Sequence, residues 1–208
     1  MAGIYPALKR AIDFLAAALG LVLLWPVFAL VALAILLDDG KPVFFRQERV
    51  GKNGKAFRIF KFRTMFPDAE SGGPLTSEDD PRITRAGRFL RRWSLDELPQ
   101  LINVLLGHMS LVGPRPTLPY QTERYDARQR MRLLVRPGIT GLAQVKGRNS
   151  LSWPERIELD LQYIEKMSLR FDFRIIFMSV PALIRKKAIY KPPEEWEKDP
   201  IAKKEARP

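Results

Sequence analysis

Two adjacent carboxylates, Asp96 and Glu97, follow a pair of arginines and precede an apolar run. The stretch reads Arg91-Arg92-Trp93-Ser94-Leu95-Asp96-Glu97-Leu98-Pro99-Gln100. Ser94 and Glu97 have the spacing of a helix capping box, in which both side chains only satisfy backbone amides. Alternatively, a carboxylate among cations can attack phosphorus or bind a divalent metal ion, as phosphoryl transfer requires. The decapeptide alone favours the capping interpretation. The choice between capping and phosphoryl transfer therefore depends on the rest of the chain.

Composition narrows the choice of partner and of chemistry. The chain has 208 residues, 46% of them hydrophobic, which is enough for one domain with its core and a smaller segment. A formal charge of +12 indicates an anionic partner: nucleic acid, acidic lipid or a phosphorylated substrate. There is no cysteine, which excludes thiolate catalysis, and the single histidine, His108, cannot form a histidine metal cluster.

An apolar segment near the N-terminus is the first element that would position these carboxylates. Residues 14–37 are a run of 24 residues without a charged side chain, long enough to cross a hydrocarbon core of about 30 Å. Pro26 lies at its middle and predicts a kink. Basic residues flank both ends, including Arg10 and Lys41, whereas a spanning helix usually has a basic flank on one side only. A re-entrant helix-break-helix and a single-pass anchor are equally compatible with this pattern.

The following segment alternates between apolar and cationic residues. Residues 43–50 and 56–63 predict a β-hairpin around a turn that contains glycine and asparagine. The alternation slips at Phe60, which indicates either a bulge or the end of the strand. Residues 67–81 predict a mobile polar loop, and residues 95–106 predict an apolar helix that begins at the carboxylate pair.

Two proline- and glycine-containing motifs come next. Prolines on both sides of Arg115 stiffen its backbone, which suits an arginine that binds phosphate, although such arginines are about as common in plain turns. Residues 136–149 are punctuated by glycines and have cations at both ends, a pattern typical of a backbone-amide cradle for anions. The segment matches neither a Walker A loop nor a dinucleotide fingerprint.

The remaining chain is predicted to be mainly helical. Residues 118–134 predict a polar, charged helix, and residues 153–167 predict a further helix. Residues 171–189 predict an apolar helix with a break at Pro181. That last helix could lie in a membrane interface or in a protein core. The charged tail from residue 191 predicts a frayed end.

Four motifs, in this order, resemble the small monotopic polyprenyl-phosphate glycosyl-1-phosphate transferases, bacterial enzymes that begin glycan assembly. They are Lys61-Phe62-Arg63-Thr64-Met65, then Ser94-Leu95-Asp96-Glu97-Leu98-Pro99-Gln100-Leu101, then Gly113-Pro114-Arg115-Pro116, and finally the run from Arg136 to Val145 with Gly147-Arg148-Asn149. The resemblance implies an α+β, mostly helical fold, in which a kinked re-entrant membrane helix, a short β-hairpin and amphipathic interfacial helices surround an active site at the cytoplasmic face. It implies a membrane helix over residues 1–40, a catalytic domain over 41–190 and a charged tail over 191–208.

The resemblance also implies a two-step reaction and roles for particular residues. Asp96 would attack the β-phosphorus of a UDP-sugar, release UMP and pass the phosphosugar to undecaprenyl phosphate, while Glu97, together with Asp96, would bind Mg²⁺. This would be the first membrane step of surface-polysaccharide or glycoprotein glycan synthesis. The other implied site residues are Lys61, Arg91 and Arg115 at the phosphates, Gln144, Arg148 and Asn149 at the nucleotide-sugar, and Pro26 at the membrane-helix break.

The implied location is the cytoplasmic leaflet of the bacterial inner membrane, with anionic lipids as partners, no nucleic acid, and an apolar surface that could also support a homodimer. One departure from the family pattern is Trp25, because relatives often carry serine before the helix proline. Two alternatives stay open: a membrane-tethered lipid- or nucleic-acid-binding scaffold, and direct transfer in a ternary complex with Asp96 as base or metal ligand. No residue identifies the sugar.

Overall fold

The computed structural model describes residues 4–67, 69, 80–147 and 150–184. Residues 183 and 184 are described by their backbone alone. The described helices are α1 (Ile4–Asp39), α2 (Arg85–Arg92), α3 (Gln100–Leu105), α4 (Pro119–Glu123), α5 (Leu142–Lys146), α6 (Trp153–Glu165) and α7 (Leu169–Ile184). The strands are β1 (Phe44–Val50), β2 (Ala56–Phe62), β3 (Ser110–Val112) and β4 (Gly138–Thr140), and short 3₁₀ turns occupy Lys52–Gly54, Leu95–Glu97 and Gln129–Leu134. The predicted mixture of helices with short sheets is confirmed.

Helix α1 is one continuous element of 36 residues, about 54 Å long at 1.5 Å per residue. Pro26 lies inside the helix and does not end it. By length and composition, α1 could cross a membrane. Its apolar side chains are largely exposed, including Trp25, so most of this helix is not part of a protein core. The re-entrant path stays a prediction.

Both halves of α1 contact the same folded body. In the first half, Arg10 donates to the carbonyl oxygen of Val104 at 2.6 Å, and Asp13 accepts from the hydroxyl of Ser110 at 2.7 Å. At the other end, Arg63 pairs with Asp39 at 2.5 Å. The helix is therefore held to the rest of the chain near both of its ends.

The predicted hairpin is confirmed, with β1 antiparallel to β2 in an unbroken register from Phe44 opposite Phe62 to Val50 opposite Ala56. The slip at Phe60 is not a bulge. Instead, the side chain of Asn103 in α3 accepts from the Phe60 amide at 2.9 Å and donates to the Arg58 carbonyl at 2.8 Å. This bidentate contact fixes α3 against the edge of the hairpin.

The described part of the glycine-rich segment, residues 136–147, contains strand β4 and helix α5, so the prediction of a loop is wrong there. Strand β4 pairs in parallel with β3, and a Cβ on Gly138 would lie only 2.1 Å from the amide nitrogen of Gly113. The Gly138 amide donates to the Pro114 carbonyl at 2.9 Å, and the Gly113 amide donates to the Thr140 carbonyl at 2.9 Å. These two glycines allow close backbone approach, and their amides are not free to bind an anion.

Three predicted helices differ in their extent. The apolar helix begins at Gln100 rather than at the carboxylate pair, because Leu95–Glu97 form a separate 3₁₀ turn. The charged stretch over residues 118–134 is split into α4 and a 3₁₀ turn. Helix α7 continues through Pro181 as far as the described chain extends, so the predicted break is absent there. Most of the predicted mobile loop, residues 185–190 and the tail over 191–208 lie outside the described residues.

Candidate active site

Strand β2 and the turn Leu95–Glu97 bring a lysine against the two carboxylates. Lys61, near the end of β2, places its Nζ 2.6 Å from Glu97 Oε1 and 3.8 Å from Asp96 Oδ2. The residues are 35 and 36 positions apart in sequence, and the packing of β2 against this turn is what joins them. The structure thus brings Lys61, which was predicted at the substrate phosphates, to the carboxylate pair.

Arg115 approaches the same cluster from a different segment. Its Nη2 lies 2.8 Å from Glu97 Oε1, and its Nη1 lies 3.4 Å from Glu97 Oε2. The side chain of Arg115 is half exposed, so the guanidinium forms an open side of the site. Glu97 is consequently paired with two cations, whereas Asp96 has one cation at a longer distance.

The capping-box interpretation of Ser94 and Glu97 is wrong. Ser94 has a left-handed backbone with φ of 54°, and its side chain makes no cap hydrogen bond. The Glu97 carboxylate contacts Lys61 and Arg115 instead of a backbone amide. The unusual backbone of Ser94 turns the chain after α2, so that Asp96 and Glu97 face the cations of β2 and of the Arg115 segment.

The two neighbouring carboxylates have opposite pKa shifts. Burial raises the pKa of Asp96, which is 9% exposed, while the charge of Lys61 partly opposes that rise. Burial would also raise the pKa of Glu97, but the charges of Arg115 and Lys61 outweigh it and hold the pKa far below its usual range. Neighbouring carboxyls with divergent pKa values are typical of sites where the two groups have different tasks. Glu97 is the ionised partner of the two cations, and Asp96 is the carboxylate without a close cation.

Arg91, predicted at the substrate phosphates, lies in α2 and bonds a neighbouring hydroxyl. Its Nε donates to the Thr64 hydroxyl at 2.9 Å. The charge of Arg91 still lowers the pKa of Asp96, so it contributes to the positive potential at that carboxylate. The close packing of α2 on Thr64 depends on Gly87, because a Cβ there would lie 2.1 Å from the Thr64 carbonyl oxygen.

Of the three residues predicted at the nucleotide-sugar, only Gln144 lies within the described residues. Gln144 lies in α5, and neither polar atom of its buried amide has a hydrogen-bond partner within the described ranges. Arg148 and Asn149 lie outside the described residues. Their assignment to the nucleotide-sugar stays a prediction.

The oxygen donors at the site suit Mg²⁺ only if a substrate completes the coordination. Within the described part of the chain, no three or more Asp, Glu or His side chains converge on one point. Asp96 and Glu97 supply hard carboxylate oxygens, and Mg²⁺ is commonly bound by one or two carboxylates together with substrate phosphates and water. The residues present therefore fit a metal ion that binds together with a phosphorylated substrate.

Comparison with known proteins agrees with the motifs. The sequence matches the family described as "Bacterial sugar transferase" over residues 4–186. The chain belongs to the bacterial sugar transferase family. The predicted family resemblance and the predicted enzyme class, a transferase, are thereby confirmed. Membership also decides against a scaffold without turnover.

Similar members of the bacterial sugar transferase family come from distant bacteria. The chain is 40% identical over 198 residues to "Exopolysaccharide production protein ExoY" of Rhizobium meliloti (strain 1021), covering 88% of each chain. It is 46% identical over 174 residues to "Uncharacterized sugar transferase EpsL" of Bacillus subtilis (strain 168), covering 83% of this chain and 85% of the relative. It is 44% identical over 201 residues to "UDP-glucose:undecaprenyl-phosphate glucose-1-phosphate transferase" of Escherichia coli (strain K12), covering 91% of this chain but 43% of that relative.

Sequence reasoning missed a buried ionic pair that supports the Arg115 segment of this sugar transferase. Arg132 Nη2 lies 2.5 Å from Asp160 Oδ2, and the same nitrogen donates to the Arg115 carbonyl at 3.3 Å. Arg132 also donates to the Tyr125 hydroxyl and lies over the ring of Trp153. The pattern of residues 118–134 predicts only a charged helix and assigns no role to Arg132. No local pattern distinguishes this arginine from its exposed neighbours.

Proposed function

We propose that this sugar transferase moves a sugar 1-phosphate from a UDP-sugar to undecaprenyl phosphate and releases UMP, through a covalent phosphosugar on Asp96. The observation that carries the proposal is the asymmetry of the carboxylate pair: Glu97 is neutralised by Lys61 and Arg115, while Asp96 is left beside the same cations without a close partner. The donor and acceptor come from the name of the Escherichia coli relative.

The proposed reaction balances as two displacements at one phosphorus atom. In the first, a carboxylate oxygen of Asp96 forms a bond to the β-phosphorus, the bond from that phosphorus to the bridging oxygen breaks, and UMP leaves with that oxygen. In the second, an oxygen of the lipid phosphate bonds to the same phosphorus, and the acyl phosphate bond breaks to restore the carboxylate. Covalent catalysis by a carboxylate is chemically reasonable because an acyl phosphate stays reactive.

The surrounding residues would lower the electrostatic cost of bringing two anionic substrates to a carboxylate. Lys61, Arg91 and Arg115 would bind phosphate oxygens, and Gln144, Arg148 and Asn149 would contact the nucleotide-sugar. Asp96 and Glu97 would hold Mg²⁺, which neutralises phosphate charge when bound. Since both oxygens of Glu97 already accept from cations, binding of the donor would have to rearrange Lys61 or Arg115.

We further propose that the enzyme is monotopic, on the cytoplasmic leaflet of the inner membrane. Exposed apolar side chains along α1 include Leu15, Leu23 and Leu37, and α7 adds Phe177. A helix that crossed the bilayer would hold only one end of its apolar run against a domain on one side of the membrane. The contacts of Arg10 and of Asp39 with the same body favour a helix that enters and leaves through one face.

Single cysteines provide a direct test of that topology, because the chain contains no native cysteine. One variant would carry Ile4→Cys and another Lys41→Cys, and each would be labelled in intact cells and in inverted vesicles with a reagent that does not cross membranes. The monotopic arrangement predicts labelling of both positions only from the cytoplasmic side. Labelling of Ile4→Cys from the periplasm would establish a spanning helix instead.

UMP release and intact-protein mass spectrometry test the reaction. The purified enzyme would be incubated with undecaprenyl phosphate, Mg²⁺ and each of a panel of UDP-sugars. UMP release with one sugar, together with an added mass of one phosphosugar that maps to Asp96 when the acceptor is withheld, is the expected result. UMP release that requires the acceptor, without any adduct in quenched samples, would favour direct transfer in a ternary complex.

A further inference from the structure

Arg49 is a cation close to the active site that the proposed reaction does not use. It lies at the end of β1, next to Val50, whose amide donates to the Thr117 carbonyl at 3.0 Å. The Arg49 Nη1 lies 3.4 Å from the carbonyl oxygen of Pro116. The end of β1 is thus held against the segment that carries Arg115.

The guanidinium of Arg49 lacks an anionic partner. Its Nη2 donates to the neutral side chain of Gln47 at 2.5 Å, and its buried Nε has no hydrogen-bond partner within the described chain. No carboxylate oxygen of residues 4–67, 80–147 or 150–182 forms an ion pair with it within 4.0 Å. Arg49 is half-buried, and a cation whose donor is buried without a partner is costly unless an anion compensates for it.

The charges around Arg49 show that its missing anionic partner is not replaced by a neighbouring carboxylate. Burial lowers the pKa of Arg49 to about 10, and repulsion from Arg115 acts in the same direction, so the side chain still carries its charge at neutral pH. Glu97 is the nearby anion that acts on it, and this carboxylate is already paired with Lys61 and Arg115. The cluster therefore holds more positive than negative charge beside Arg115.

We propose that Arg49 is a phosphate-binding residue, which forms with Arg115 a two-arginine clamp for a phosphate group of a substrate. The proposal rests on the proposed function and extends its site by one residue. Arginine suits this task because its planar fork gives paired, charge-assisted hydrogen bonds to phosphate oxygens. The phosphate could belong to the diphosphate of the nucleotide-sugar or to the lipid acceptor, and separate kinetic measurements distinguish these sources.

Arg49→Gln and Arg49→Lys are the informative variants, and Arg46→Gln is the matched control. Arg46 lies on the same strand, is exposed, and stacks over the ring of Phe60, so its substitution removes the same charge away from the cluster. We expect Arg49→Gln to raise the KM for one of the two phosphorylated substrates by about tenfold to a hundredfold, as expected for a lost hydrogen bond to a charged group. Arg49→Lys should recover part of this loss.

The substrate whose KM rises identifies the source of the phosphate. A change in the KM for the UDP-sugar alone assigns the clamp to the diphosphate, and a change for undecaprenyl phosphate alone assigns it to the acceptor. Equal effects of Arg49→Gln and Arg46→Gln would contradict the proposal, since they would reflect net charge. If Arg49→Gln does not fold, Arg49→Lys carries the same test, because it retains the charge without the fork.

A binding measurement separates this proposal from the proposed function. Thermal unfolding would be followed with and without inorganic pyrophosphate and, separately, UMP. We expect stabilisation of the wild type and of Arg46→Gln, and a smaller stabilisation of both Arg49 variants. If the wild type released no UMP from any UDP-sugar, the proposed function would fail, while this difference in pyrophosphate binding would still support Arg49. Equal stabilisation of all four proteins would overturn the clamp.

Discussion

Two arginine-carboxylate clusters lie beside the segment that carries Arg115, and they differ in burial and in how their charges are matched. Arg132 and Asp160 form a one-to-one pair, with side chains only 4% and 2% exposed. In the other cluster, Lys61 and Arg115 both bind Glu97, Arg115 is half exposed, and Asp96 has no close partner. The buried pair suits a structural role. The second cluster, called the accessible cluster because Arg115 opens it to solvent, suits binding of further charged groups and reaction with them.

The largest expected effect is on the accessible cluster. Asp96→Asn keeps the shape of the side chain but removes the proposed nucleophile, so UMP release should fall by about 10⁴-fold. The midpoint of thermal unfolding should change little, because the variant also removes a buried charge. The control is Asp126→Asn, which changes an exposed residue in the same chemical way. Near wild-type turnover by Asp96→Asn would exclude Asp96 as the nucleophile.

The buried cluster should show the opposite pattern, with stability affected first. Asp160→Asn leaves Arg132 buried without its counter-ion, so the free energy of unfolding should fall by about 3–5 kcal/mol in denaturant titration. The matched control is Glu158→Gln, which removes an exposed pair with Arg128 and should cost about 0–1 kcal/mol. Comparable losses in the two variants would mean that burial of the Arg132–Asp160 pair does not set its contribution to stability.

A third prediction concerns how Lys61 tunes the accessible cluster. The ionised form of Asp96 is the reactive one, so activity should be lost as the pH falls through its raised pKa, above the ordinary value of about 3.9. Lys61 lowers that pKa, and Lys61→Met should therefore move the acid limb of kcat/KM to higher pH. Lys55→Met, at an exposed position before β2, is the control. An unmoved acid limb would show that another group controls it.

The smallest expected effect is on the pH dependence of stability. The pKa of Glu97 is lower in the folded state than in the unfolded state, where it is about 4.3. Its ion pairs therefore contribute stability above that value, and this contribution is lost as the pH falls through the folded pKa. Glu97→Gln should make the loss of stability between about pH 5 and pH 2 shallower in urea titrations. An unchanged slope would assign the acid sensitivity to other carboxylates.

Local sequence patterns predicted those elements whose structure depends on their own residues. The hairpin around Gly51–Gly54 and the helix near residues 153–167 were predicted close to their observed bounds. The stretch over residues 95–106 was predicted less well, because Ser94 adopts a left-handed backbone and Pro99 precedes the helix. Gly138 and Gly141 were misinterpreted as parts of a loop, because their close approach to Gly113 involves a distant segment.

The sequence by itself determined the family, the apolar N-terminal helix and the types of residue that the reaction needs. These follow from composition, spacing and contiguous motifs. Only the tertiary structure decided that Lys61 and Arg115 both pair with Glu97 and that Asp96 has no close cation. It also decided that Arg49 lies beside them without a counter-ion. The physical reason is that the charge state and partners of an ionisable group depend on burial and on neighbours from distant segments, which its own type and spacing do not specify.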